Sequence, residues 1–331
     1  MQPEAVLRLA TWNVEWFNAL FDDEGRPLAD GEPSARYRVT RGAQLAAIGI
    51  VLTALDADGV MVIEAPDTNG HRSAVRALER FAGTLGLRQA RAVSGFVSDT
   101  EQEIAFLYDP ARLAARHDPR GKPAFDGTWH VGDRAVRLSR PPLELAVSGR
   151  GGLDLRLIGV HAKSKAPHGA KDEAEARLIA VENRRKQIAE CEWIRTRVEE
   201  TLLAGEDLIV MGDFNDGPGL DEYEAQFGRS GVEIVLGNGG PRLFDPHAAM
   251  ALQRRVGIQP TTARFYLKPM RRYFEALLDF VMVSPGLHAR RPDWRIWHPL
   301  NDPDIAANAT LREALITASD HFPVTLDLPL N

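Results

Sequence analysis

The chain has 331 residues, 44% hydrophobic and 26% charged, a balance that fits an ordered globular protein and excludes disordered and fibrous classes. With 40 basic and 46 acidic residues the net charge is −6, so no global positive field draws in nucleic acid. No apolar run reaches the roughly 18 residues of a membrane span, and the single cysteine, Cys191, excludes an internal disulfide and a thiolate metal cluster.

The N-terminus enters a strand-like run directly, without the basic, apolar and small-residue regions of a secretory leader, so a cytoplasmic location is the default expectation. Apolar runs that end in polar residues predict strands over 6–12, 59–63, 104–108, 153–160, 208–211, 278–283 and 324–328. Helical spacing predicts helices over 40–55 and 74–85, and a long one over 172–203 that contains no Gly or Pro. Segments 22–38 and 301–308 read as insertions or mobile loops, rich in Asp, Gly, Pro or Arg. Strands alternating with helices predict a mixed α/β sandwich, and residues 1–331 read as one domain without internal repeats.

Polar residues recur at the C-terminal ends of the apolar strands. Asn13 follows LRLATW, Glu64 follows GVMVI, His161 follows LRLIGV, and Asp213 with Asn215 follows DLIVMG. A carboxylate directly after buried apolar residues is costly unless it is paired, ligated or at the surface. Any one of these is an ordinary polar strand end, whereas the recurrence points to a site. Asp213 and Asn215, two apart on an extended strand, share a face, while Asp320 and His321 in SDHFPV are adjacent and project differently. The set is rich in oxygen ligands and poor in sulfur, which suits Mg²⁺ or Mn²⁺ better than Zn²⁺.

Six motifs in order, TWNVEWF, VMVIEAPD, GVHAKSK, MGDFND, LLDFVMVS and SDHFPV, together span residues 7 to 328. Their set resembles the endonuclease/exonuclease/phosphatase (deoxyribonuclease I-like) superfamily. The resemblance implies a four-layer α/β sandwich, with two mixed sheets packed face to face and helices outside. It implies Glu64 as principal metal ligand with Asn13 and Asp320 nearby, Asp213 orienting or deprotonating the attacking water, and Asn215 on the scissile phosphate. Asp279 would hydrogen-bond His321 and fix its tautomer. The implied reaction is in-line attack of water on phosphorus.

His161 stands where apurinic endonucleases carry tyrosine and deoxyribonuclease I-like and sphingomyelinase-like members carry histidine. In the first of those two, a glutamate paired with this histidine sits near the position of Glu103. His161 would then face His321 across the phosphate and protonate the leaving oxygen. The AKSK run resembles a pattern of some bacterial secreted nucleases, which makes Lys163 and Lys165 phosphate contacts; solvated loop lysines are the alternative.

The first functional expectation is a nuclease on DNA or RNA, acting as a monomer with no obligate protein partner. The second is a phosphodiesterase or phosphatase on a lipid headgroup, inositol phosphate or other small ester, favoured by the acidic net charge and the lack of an aromatic-basic stripe. A non-catalytic binding protein is the third, opposed by the retained carboxylates. Trp12 and Trp16 read as packing residues. Basic clusters at 184–186, at Lys268, Arg271 and Arg272, and at Arg290 and Arg291 read as solvated charges. The other histidines lack zinc-site spacing.

Overall fold

A computed structural model describes residues 6–98, 100, 102–120, 128–131, 134–138, 140–167, 169–218, 227–253, 259–267 and 271–330. Its strands obey the period of two. In β1 (Val6–Asn13), Leu7 and Leu9 enter one core and Ala10 and Trp12 another. The first sheet has six strands in the order β14 (Asp293–Ile296), β15 (Val324–Pro329), β1, β2 (Gly59–Ala65), β4 (Glu103–Tyr108) and β3 (Arg91–Ser94). The second has five: β13 (Asp279–Val283), β10 (Leu208–Asp213), β9 (Asp154–His161), β8 (Leu143–Gly149) and β5 (Leu113–His117). β1 runs parallel to β2 and β9 parallel to β10, while the other neighbours are antiparallel. Two hairpins stand apart from these sheets, β6 (Thr128–Val131) with β7 (Arg134–Arg137), and β11 (Ala263–Leu267) with β12 (Arg272–Ala276).

The sheets pack face to face. Leu9, Met61, Ile63 and Phe106 from the first share a buried layer with Leu157, Ile209, Met211 and Val281 from the second. Each such side chain contributes about 1.5–3 kcal/mol by leaving water, an upper bound set by the extended reference chain. Helices α1 (Arg41–Leu55) and α2 (Ala74–Thr84), with the helix Ala309–Ala318, cover the outer face of the first sheet. Helix α3 (Glu173–Leu203) and the short helices Gly231–Leu236 and Pro246–Leu252 cover the second. The result is the four-layer sandwich, and among the described residues no helix is long and apolar enough to cross a membrane.

All seven expected strands and three expected helices are present. The expected loop over 301–308 instead contains the helix Pro303–Ala307, capped by Asp302, whose Oδ1 accepts from Asp304 N and Ile305 N at 3.1 and 3.2 Å. Segment 22–38 is pinned by bridges Phe21↔Pro27 and Pro33↔Thr40 and by the Arg41–Asp30 ion pair at 2.7 Å.

Candidate active site

The alternation that buries the core also aims the polar strand ends. Asn13 continues the inward parity of Leu7 and Leu9, His161 that of Leu155 and Leu157, Asp213 that of Ile209 and Met211, and Asp279 that of Val281 and Val283. Register then aligns them, because Asp213 pairs with His161 on one side and Asp279 on the other. Glu64 is the exception. Its parity is that of Val60 and Val62, which face the helices. A β-bulge between Ile63 and Ala65 and a left-handed backbone, φ 62°, accompany its turn into the site.

Asp213 is the hub. Its Oδ2 accepts from Asn13 Nδ2 and Asn215 Nδ2, each at 3.0 Å, and its Oδ1 from Asn215 N at 2.7 Å. Two imidazole nitrogens lie close to the same Oδ2, His161 Nε2 at 3.8 Å and His321 Nε2 at 4.0 Å. Asp279 Oδ2 sits 2.8 Å from His321 Nδ1, which orients the ring. Glu64 accepts from Trp16 N at 2.8 Å and Asn13 Nδ2 at 3.4 Å, with His161 Nε2 3.9 Å away. Ser319 Oγ donates to Asn13 O at 2.7 Å and accepts from His321 N at 3.1 Å, tying β1 to the segment before β15.

The environment divides the two histidines. Burial disfavours a charged His321, but Asp279 and Asp213 outweigh it and hold its pKa well above the ordinary value. Burial, then the positive charges of Arg140, His321 and Lys163, push His161 well below. Burial also raises the Asp213 carboxyl.

The chain matches the description Endonuclease/Exonuclease/phosphatase family over residues 10–321. It belongs to that family. Solved structures with this family's fold include truncated TDP2 from Caenorhabditis elegans, 14% identical, covering 98% of this chain and 97% of that one, with a TM-score of 0.54. A Bacteroides thetaiotaomicron family protein is 15% identical over 98% and 97% of the two chains, TM-score 0.51. Neisseria NExo, described as a 3′ phosphatase bound to product DNA hairpin, is 17% identical over 97% and 99%, TM-score 0.51. At such identities the likeness is one of fold. No curated protein sequence matches the chain.

Family enzymes hydrolyse phosphoester bonds with a divalent metal, and the donor set here fits a hard cation. Among the described residues, Asn13 Oδ1 and Asp279 Oδ1 are buried without a hydrogen-bond partner, two oxygens left open in the site. Of the expected metal group, Asn13 and Glu64 come together, while Asp320 lines a neighbouring groove with Glu15 and Arg36. A different trio, Asp213, Asp279 and His321, brings one ligand atom each within 4.8 Å of the others. Within it the Asp279 contact occupies His321 Nδ1 and two amides occupy Asp213 Oδ2, while Glu64 accepts from Asn13 Nδ2 and Trp16 N.

Three expectations about the surroundings change. Glu103 does not pair with His161: its Oε1 accepts from Ser98 N at 3.0 Å, and among the described residues His161 Nδ1 has no hydrogen-bond partner. The two imidazoles do not face each other across an open site but flank one carboxylate oxygen, Asp213 Oδ2. Lys165 is not a free phosphate contact, because its ammonium binds buried Asp216 at 2.7 Å. Lys163 remains half-buried near the site, its backbone N–H held by Glu190 at 2.6 Å.

Arg184, expected as a solvated charge, is fully buried against the same Asp216 at 2.6 Å. Lys268 lies outside the described residues. Trp12 packs as expected, donating from Nε1 to His321 O at 3.0 Å, while Trp16 is exposed beside Glu64. Arg140 is the residue sequence reading missed. Its guanidinium donates to Gln102 Oε1 at 2.6 Å and Ala162 O at 3.3 Å and bears on both His161 and Lys163. The only local signal was an arginine stiffened by the following Pro141 and Pro142.

Proposed function

We propose that this chain is a metal-dependent phosphodiesterase acting on nucleic acid, with Glu64 and Asn13 holding Mg²⁺ or Mn²⁺. The carrying observation is the convergence of Glu64, Asn13, His161, Asp213, Asn215, Asp279 and His321 at one end of both sheets. No packing role explains so many buried, mutually bonded polar groups. The related TDP2 of D. rerio is described as complexed with single-strand DNA product, and NExo with a DNA hairpin, which supports the choice of nucleic acid.

A cation held there would supply charge stabilisation to the phosphoryl transfer. Asp213, fixed by three N–H donors, orients the attacking water and accepts its proton. Asn215 acts as a positioning residue, since both hydrogens of its Nδ2 are engaged by Asp213 and Ala162. His321, held charged and oriented by Asp279, binds a phosphoryl oxygen from the other side of Asp213. Neutral His161, with Arg140 and Lys163 beside it, completes the phosphate-facing wall.

The test is hydrolysis of plasmid, single-stranded DNA, RNA, bis(p-nitrophenyl) phosphate, p-nitrophenyl phosphate and sphingomyelin, with Mg²⁺ and with chelator. Chelation should abolish turnover, Glu64→Gln should lose most of it while staying folded, and Asp213→Asn should slow it about 100- to 1,000-fold. Full activity of Glu64→Gln in chelator overturns the assignment, and hydrolysis confined to p-nitrophenyl phosphate or a lipid headgroup overturns the nucleic-acid part.

A further inference from the structure

Next to the site, on the side of Asp320, lies a groove of about 690 Å³, within the usual size of ligand sites. It is lined by Arg36 and Tyr37 from the segment before α1, and by Arg264, Tyr266 and Tyr273 from the β11–β12 hairpin. These tyrosines are open to solvent, Tyr37 at 82%, Tyr266 at 50% and Tyr273 at 56%. Three such rings in one concavity are an exposed apolar feature that packing does not require.

The rings are arranged, not scattered. Tyr266 and Tyr273 are direct cross-strand partners with centroids 5.3 Å apart. The Arg264 guanidinium lies 3.9 Å from the centroid of Tyr273, and that of Arg38 lies 4.9 Å from Tyr37. Arg36 is paired with Glu15 and Arg264 with Glu275, so much of the positive charge is already balanced. Glu15 and Asp320 also line the groove and balance the two arginines, so aromatic faces are its distinguishing feature.

The hairpin is also joined to the chemistry. Arg264 N donates to Asp320 O at 2.7 Å, Ala263 bridges to His321, and Phe322 N donates to Thr262 O at 2.6 Å. A phosphate at His321 therefore has the groove beside it.

Resting on the nucleic-acid reading above, we propose that this groove is a stacking subsite for an unpaired nucleobase next to the scissile phosphate. A duplex keeps its base faces stacked inside, so the groove selects single-stranded or frayed ends. The flat faces accept any base, which predicts selection by strandedness and not by sequence.

The test measures binding in chelator, where no hydrolysis occurs, using a single-stranded oligonucleotide containing 2-aminopurine and the same strand in a duplex. Base stacking should quench the probe, and single strand should bind more tightly than duplex. Tyr37→Ala and Tyr266→Ala should each weaken single-strand binding about 5- to 100-fold, with Tyr37→Phe and Tyr266→Phe restoring it. Unchanged binding in the alanine variants, equal loss in the phenylalanine variants, or equal affinity for duplex overturns the subsite. Because this readout needs no turnover, absence of DNA hydrolysis by the wild-type protein would overturn the proposed function without deciding the subsite.

Discussion

At the scale of single residues, burial decides which carboxylates titrate near neutrality. Glu103 is buried at the start of β4, and burial pushes its carboxyl up to about 7 against the opposing pull of the Ser98 amide. Relative to an unfolded value of 4.5, the folded state holds the extra proton between pH 4.5 and about 7. Stability from this group is therefore full at the acid end, falls as pH rises through that window, and stays low above it. Glu103→Gln should flatten this slope and, at pH 8, exceed the wild type by about 3 kcal/mol. Urea unfolding at pH 5 and pH 8 checks it, and the same slope in both proteins would assign the pH dependence elsewhere. Glu103 thus reads as a buried acid of β4, because among the described residues no contact joins it to His161.

At the scale of elements, Asp216 carries the joint behind the site. It accepts from Lys165 after β9 at 2.7 Å, from Arg184 in α3 at 2.6 Å, and from Gly231 N at the start of the helix Gly231–Leu236 at 2.6 Å. Three elements that frame β10 are clasped by one buried carboxylate. Replacing it leaves a fully buried guanidinium unpaired, so Asp216→Ala should cost about 3–5 kcal/mol of unfolding free energy. A loss below about 1 kcal/mol in denaturant titration would mean that solvent reaches Arg184. Strand β10 is itself constrained. Gly212, at φ 145°, has no room for a side chain, since a Cβ would lie 2.0 Å from Val160 O on β9. A side chain there would push apart the strands that present His161 and Asp213.

At the scale of the molecule, the two sheets cannot part without exposing their shared inner layer, and the site is built across the end of that layer. Asn13 and Glu64 come from one sheet and His161, Asp213 and Asp279 from the other. Residues 1–331 are therefore expected to unfold as one unit. Far-ultraviolet circular dichroism and tryptophan fluorescence should report coincident urea transitions, and separated midpoints would reveal two domains.

The strands bearing Asn13, His161, Asp213 and Asp279 were legible in the sequence because their apolar alternation is a local pattern, and parity along a strand carries each polar end to the same face. The order of the six motifs likewise sufficed for the family. The short strands β3, β5 and β14 escaped notice because only 4 or 5 residues, partly polar, offer too few repeats for a period. What pairs with what was decided only by tertiary structure. Lys165 finds Asp216 across 51 positions, and Glu103 turns to Ser98 instead of His161. Tyr37 reaches a common groove with Tyr266 and Tyr273, more than two hundred residues away, although no aromatic-basic stripe exists along the chain. The physical reason is range: hydrophobic periodicity acts between neighbours a few residues apart, whereas ion pairs, orphaned imidazole nitrogens and stacking surfaces depend on which elements the packed core sets side by side.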